Sequence, residues 1–383
     1  MGKDTDPYAL VRMKMHWIPE GTRDFVPAQY HIKQNVKDRI EKVFDAFGYD
    51  EISTPTLEYY QTYLTGFEQL KEEAMYKLID SSGSILALRM DMTVPIARFV
   101  SNKYKNVKKP LRFRYCADVY KQKAHLGGKQ NEVSDCGIEL IGLSSEESDL
   151  EVIVCAMEVM RSLNKHFTLE IGEVNIFLKT CQKLALSKEE IETLADYIDR
   201  KSMLDLANYL ETLKLPITYR TFFLKLPWLF GKGDILQEAL EYCQDDEVKE
   251  ILFGLKLLDQ QLRSLGYEVS FDFGKIAHLN YYSGIIFEAF MEGSGTSVLS
   301  GGRYDHLLEK FGKPAYAIGF SVKLDYVFAV LEEVPLEKPW ILYYPKAKTL
   351  EALRYAGELR KFHRVQLYPR EVETLLLVKE GFV

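Results

Sequence analysis

The chain has 383 residues, 47% of them apolar and 27% charged. That usage excludes collagenous, low-complexity and wholly disordered chains, and the length suits about two or three domains. Its 49 basic residues against 56 acidic ones leave a formal charge of −7, which excludes the global basic field of a non-specific nucleic-acid or lipid binder.

The first seventeen residues carry charges throughout and lack the apolar run of a signal peptide. No later segment offers about 18 uninterrupted apolar residues, so a soluble cytoplasmic protein is expected. Cys116, Cys136, Cys155, Cys181 and Cys243 form no C-x-x-C pair and are odd in number. This fits a reducing compartment better than a disulfide framework, and no zinc site or other metal is implied.

Ile32, Val36, Ile40, Val43, Phe44 and Phe47 recur at three- and four-residue spacing ahead of Gly48, predicting a helix over 31–47. A short extended segment, YDEISTP (49–55), follows. LRFRYCADVY (111–120) and EVSDCGIELIGL (132–143) flank HLGGKQN and predict a long antiparallel hairpin. Residues 146–163 read as a helix.

From about 175 to 265 consecutive helices are expected with little strand signal. Ser187 and Glu190 form a capping box there, and Val248, Ile251, Leu252, Leu255, Leu258 and Leu262 mark one apolar face ended by Gly266. Strands return at 269–276, 281–291 and 315–320, with a turn at EGSGT and a helix over 324–334. PLEKP (335–339) reads as a linker before a strand–helix–strand–strand unit. Antiparallel hairpins wrapped by helices, without regular βα alternation, give an α+β fold class.

The P-loop, H-E-x-x-H, G-x-S-x-G and Rossmann signatures are all absent, so the corresponding chemistries have no sequence support. The informative segments are GTRDFVP (21–27), LALRMDMT (86–93), the 111–142 hairpin, LNYYSGIIFE (279–288) and SGGRYDHLL…PAYAIGF (300–320). In order and spacing, over most of residues 15–332, they resemble histidyl-tRNA synthetase, a class II synthetase fold. The resemblance implies a six- or seven-stranded antiparallel sheet flanked by helices, a pocket for ATP and an amino acid, and dimerisation through the first motif. It also implies a division into a core (1–174 and 266–334), a helical insertion (175–265) and a small C-terminal α/β unit (335–383).

Carried over residue by residue, the resemblance puts Asp91 and Thr93 at the substrate amino group. Asp135 stands where the family has a glutamine, Glu139 near the imidazole, and Tyr281 and Tyr282 along the ring. Carboxylates and hydroxyls supply the acceptors that a small cationic amino acid needs.

The departures fall at the ATP-activating cations, where the family uses arginines whose planar fork meets phosphate oxygens. Lys121 replaces the arginine of the second motif, keeping the charge and losing the fork. Ala277 replaces the arginine four residues before the tyrosine pair, and Tyr326 the terminal arginine of the third motif. If each guanidinium is worth about 2–4 kcal/mol of transition-state stabilisation, the adenylation catalyst is disarmed while the pocket persists. The tail after Pro335 is also about half the size of an anticodon-binding domain.

A synthetase-like chain with these departures resembles the regulatory subunits of ATP phosphoribosyltransferase. LKLPWLFGKGDILQEAL (224–240) resembles a segment common in them, with Leu226, Pro227 and Gly231 as landmarks. That family implies a non-catalytic homodimer within a hetero-oligomer. It would support a short catalytic subunit and take part in feedback inhibition by histidine in the first step of histidine biosynthesis, with no cofactor, no membrane and no tRNA partner. Two other readings stand beside it: an active histidyl-tRNA synthetase or related adenylating enzyme, and a tRNA-sensing domain with no enzyme partner.

Several residues carry a plain reading next to the functional one. Gly301, Gly302, Arg303, Tyr304 and Asp305 form a segment that could line a nucleotide site, and its double glycine serves backbone geometry at a strand end as readily. Tyr281 and Tyr282 in an alternating strand would face opposite sides, with Tyr282 in the pocket. Glu139, between Ile138 and Leu140, points away from them and toward a cleft. His125 reads as a loop histidine, and Lys103, Lys105, Lys108, Lys109, Arg112 and Arg114 as a solvated face.

Overall fold

The computed structural model describes residues 18–67, 70, 72–122, 130–144, 146–163, 165–276, 281–331 and 338–378. Two compact units are present, one of residues 1–24 and 33–331 and one of residues 25–32 and 332–383. Among the described residues, no helix is long and apolar enough to cross a membrane.

Helix α1 (Pro27–Ala46) carries the predicted stripe and stops before Gly48, whose φ of +76° is the left-handed turn that glycine adopts without strain. Strand β1 (Asp50–Glu51) leads to a small antiparallel sheet of β2 (Leu57–Tyr59), β3 (Lys77–Ile79) and β4 (Ile85–Leu88), with α2 (Tyr60–Gly66) between β2 and β3. Helix α3 (Thr93–Lys103) precedes the predicted hairpin, β5 (Leu111–Tyr120) and β6 (Glu132–Ile141), and α4 (Glu146–Ser162) follows it.

After β7 (Phe167–Glu173) comes the helical block. It comprises α5 (Val174–Lys183), α6 (Lys188–Asp199), α7 (Met203–Thr212), α8 (Ile217–Lys225), the two-residue strand β8 (Phe230–Gly231), α9 (Ile235–Tyr242) and α10 (Asp246–Ser264). The Ser187–Glu190 capping box forms as its spacing requires. Strands β9 (Ser270–Asp272), β10 (Ile285–Met291), β11 (Leu299–Arg303) and β12 (Ala317–Lys323) follow, and a short helix α11 (Leu324–Phe328).

The main sheet has nine strands in the order β1-β5-β6-β12-β11-β10-β7-β9-β8. Its six central strands, β5 to β7 in that order, are antiparallel throughout, while β1 joins β5 and β9 joins β7 in parallel, and β8 pairs antiparallel with β9. The α+β class and the antiparallel sheet of the class II resemblance are thus present, widened at both edges by short strands. One face of the sheet is buried against α1, α4 and the helical block around Val36, Ile40, Phe44, Ile138, Leu140 and Phe320. The other carries a second core under α3, including Val94, Ile96, Phe113 and Tyr115.

The second unit contains β13 (Trp340–Tyr344), α12 (Thr349–Leu359), β14 (Val365–Pro369) and β15 (Leu376–Val378) around Leu342, Ala352, Ala356 and Val365. This is the predicted strand–helix–strand–strand order.

The structure corrects the reading of the cysteines. Cys116 and Cys136 form a disulfide with Cα atoms 4.1 Å apart, and the three free cysteines are buried. The sequence separation of 20 hides a proximity that arises only because the β5–β6 register sets the pair directly opposite.

Candidate functional site

A cleft of about 280 Å³ opens over the middle of the main sheet. Alternation along β6 sends Cys136, Ile138 and Leu140 into the core on one side and leaves Asp135 and Glu139 lining the cleft on the other. Strand β12 pairs Gly319 opposite Glu139. A side chain at Gly319 would collide with the Glu139 carboxylate and the Ile138 carbonyl, so the glycine makes room for the acid.

Glu139 is 1% exposed. It accepts a hydrogen bond from Thr93 Oγ1 at 2.9 Å and a short one from the Tyr304 hydroxyl. Burial nevertheless pushes its pKa up to about 8, against the pull of those two donors.

Asp91 sits at the turn into α3, where its Oδ1 receives the Val94 amide at 3.4 Å. The Tyr63 hydroxyl, a fully buried group, takes the Met90 amide at 3.1 Å and fixes the backbone that presents Asp91. Asp91 Oδ2 is buried and accepts no hydrogen bond from the described residues. Burial raises the Asp91 pKa to about 7, Lys121 opposing the shift and Asp135 adding to it. A buried carboxylate oxygen without a donor is costly, and a ligand ammonium would supply what is missing.

Tyr281 and Tyr282 both line the cleft, their rings 4.9 Å apart. The expected alternation between them does not apply, because β10 begins only at Ile285. Tyr281 meets Tyr304 edge to face at 5.9 Å, and Tyr282 lies over Gly302, where any Cβ would strike its ring. Gly302 is therefore needed for this close approach of ring to backbone, while Gly301 makes room for the Gly319 carbonyl and Phe320.

Two cations share the cleft with these carboxyls. Lys121 and Lys323 line it, with Tyr326 beside them, the ammonium of Lys323 lying 5.9 Å from that ring. Lys323 faces Asp135 across the β6–β12 ladder. One small cavity thus gathers three carboxyls and two ammonium groups, a set matched to a zwitterion with a further polar or cationic side group.

Asp91, Thr93, Asp135, Glu139, Tyr281, Tyr282, Lys121 and Tyr326 all come together here. Ala277 and His125 lie outside the described residues. Sequence reading missed Tyr115 and Lys323, and it placed Tyr304 only in a segment that could line a nucleotide site, without its contact to Glu139. Tyr115 shares the inward parity of Phe113 on β5, a signal that alternation carries, while the Tyr304–Glu139 contact spans 165 residues and has none.

Asp325 was also missed. It is 3% exposed and receives Arg23 at 3.0 Å, Lys33 at 3.2 Å and the Ser134 amide at 2.7 Å, tying the segment before α1 to the strand that carries Asp135. Of the basic run, the four lysines are exposed. Arg112 pairs with Glu151 at 2.8 Å and Arg114 lies 3.6 Å from Asp45.

Residues 21–327 match the family of histidyl-tRNA synthetase. The ATP phosphoribosyltransferase regulatory subunit of Acetivibrio thermocellus is 38% identical over 351 residues, covering 90% of this chain and 82% of that protein. Its counterpart from Thermoanaerobacter pseudethanolicus is 35% identical over 347 residues, covering 89% and 90%. Among solved structures, an ATP phosphoribosyltransferase regulatory subunit/histidyl-tRNA synthetase from Bacillus halodurans shares 30% identity and a TM-score of 0.84 over 94% of each chain. With the family match over most of its length and these relatives across nine-tenths of it, the chain belongs to the ATP phosphoribosyltransferase regulatory subunits, within the histidyl-tRNA synthetase family.

Proposed function

We propose that the chain is a non-catalytic subunit that binds histidine in the cleft, is required for the activity of a short catalytic ATP phosphoribosyltransferase subunit, and transmits feedback inhibition to it. The observation that carries the ligand is Asp91 Oδ2, a buried acceptor without a donor, set in one cavity with Asp135 and Glu139. Carboxylates for an ammonium, hydroxyls for an imidazole and lysines for a carboxylate answer the groups of histidine in turn. Regulation then requires histidine to bind the active and inhibited assemblies unequally.

Loss of aminoacylation belongs to the same reading. Lys121 and Tyr326 stand at the mouth of the cleft where the resemblance expects arginines, and a lysine and a phenol offer no planar fork to a phosphate. The core (1–174 and 266–334) would hold the effector, the helical block (175–265) would be free for a partner, and the small unit (335–383) would replace an anticodon-binding domain. A homodimer within a hetero-oligomer in the cytoplasm, without tRNA, completes the proposal.

Mixing the chain with a short phosphoribosyltransferase subunit tests it. A larger particle with histidine-sensitive activity is expected, and separate elution with unaltered activity rejects it. The alternative, an active histidyl-tRNA synthetase or related adenylating enzyme, draws on the cations that remain, Lys121 and Lys323. Histidine-dependent ATP–pyrophosphate exchange by the purified chain would establish that alternative.

A further inference from the structure

A second cleft, of about 440 Å³, lies on the helical block away from the site described above. One wall is a single face of α10, where Glu250, Ile251, Gly254, Leu255, Leu258 and Gln261 follow one another at three- and four-residue steps. The other wall is the corner between β7 and α5 with the start of β10, contributing Glu173, Lys179 and Ile285, and Asp149 of α4.

Three features say what this cleft receives. Its floor is apolar, with Leu255 and Leu258 sealed beneath the opening and Ile251 half-buried. Beside it on α10, Phe253 and Leu257 form an i, i+4 pair that is 56% and 46% exposed, an apolar ridge left open among the described residues. Its lining is acidic: Asp149, Glu173, Glu247 and Glu250 stand against Lys179, which is 2.7 Å from Glu247, and Arg303, which holds Asp149.

Gly254 stands in the interior of the nineteen-residue helix α10, where glycine is a poor helix former and no turn calls for it. Among the lining residues of α10 it leaves a notch, which lets another backbone approach closely.

We infer that this cleft is a docking surface for an amphipathic helix of a protein partner, one that presents apolar side chains to the α10 face and lysine or arginine to the acidic lining. A helix lying along α10 would cover the Phe253–Leu257 ridge, enter the notch at Gly254 and bring a cation to Glu250. The same carboxylates repel phosphate, which favours a protein over an RNA. The identity of the partner as the catalytic phosphoribosyltransferase subunit rests on the function proposed above.

The test measures the affinity of the full chain for that purified subunit, with Glu250→Lys and Gly254→Gln in the cleft, Phe253→Asp on the ridge beside it and Leu204→Asp, 75% exposed on α7, as the outside control. Gly254→Gln fills the notch while favouring the helix, and a urea melt of each variant separates loss of fold from loss of binding. Binding at least tenfold weaker for Phe253→Asp and Gly254→Gln is expected, with weaker binding for Glu250→Lys, unchanged histidine affinity and an unaltered control. Wild-type affinity in both Phe253→Asp and Gly254→Gln overturns the inference, as does a change in the self-association of the chain, which would give the cleft to a second copy. If the unaltered chain fails to bind the subunit at all, the functional reading fails first and this inference with it.

Discussion

Thr93, the first residue of α3, donates its hydroxyl to Glu139 Oε1 at 2.9 Å and joins two segments 46 residues apart in the chain. With the Tyr304 hydroxyl on the second carboxylate oxygen, this bond holds a fully buried acid in place under the cleft. The Glu139 carboxyl is thereby set in place before any ligand arrives, which limits the ordering cost of binding.

Asp91→Asn removes the negative charge at the acceptor that lacks a donor and keeps the side-chain shape. A hydrogen bond to a charged group is worth about 1.5–3 kcal/mol, so histidine affinity should fall about ten- to a hundredfold. Isothermal titration checks this, and unchanged affinity would place the ligand elsewhere.

The two buried acids make the empty protein sensitive to pH. An unfolded chain ionises Asp and Glu at about pH 4, whereas the folded chain ionises Asp91 at about 7 and Glu139 at about 8. Between those limits the folded state holds more protons. Their contribution to stability is therefore full below pH 4 and is lost as pH rises through 7 to 8. Thermal melts should show that decline, and Glu139→Gln should remove its upper part. A cationic ligand favours the ionised acids, so binding near pH 7 should release protons, measured as a dependence of the titration heat on buffer ionisation enthalpy.

Asp325→Ala withdraws a buried acceptor from Arg23, Lys33 and the Ser134 amide. Breaking a buried charge pair costs about 3–5 kcal/mol at full burial. Because Arg23 is 28% exposed, a loss of about 2–4 kcal/mol is expected by urea denaturation. A loss below about 1 kcal/mol would mark the cluster as surface-like.

Gly319→Ala forces a Cβ against Glu139 and the Ile138 carbonyl. Overpacking costs about 1–3 kcal/mol, and the displaced acid should lower histidine affinity as well. Gly357→Ala, on α12 with open space around it, should instead be neutral or stabilising by about 0.4–1 kcal/mol. The two denaturation curves measured side by side test both.

Much of the scaffold was legible because it rests on local periodicity. The stripe from Val36 to Phe44, the capping box at Ser187 and the alternation that turns Glu139 away from Ile138 each need only a few neighbouring residues to be read. The motif order likewise carried Asp91, Thr93, Asp135 and the tyrosine pair to one site before their distances were known.

The rest depended on register and burial, which no local pattern encodes. Cys116 meets Cys136 because β5 and β6 align there, and Tyr282 shares the cleft with Tyr281 because the strand starts three residues later. The sequence by itself determined the helices, the long hairpin and the residue types gathered around a small cationic amino acid. Only the tertiary structure decided that Tyr304 closes on Glu139, that Asp91 keeps an acceptor without a donor, and that α10 leaves a cleft with an acidic lining. These follow from which strands pair and how deeply each charge is withdrawn from water, and such properties belong to the packed chain.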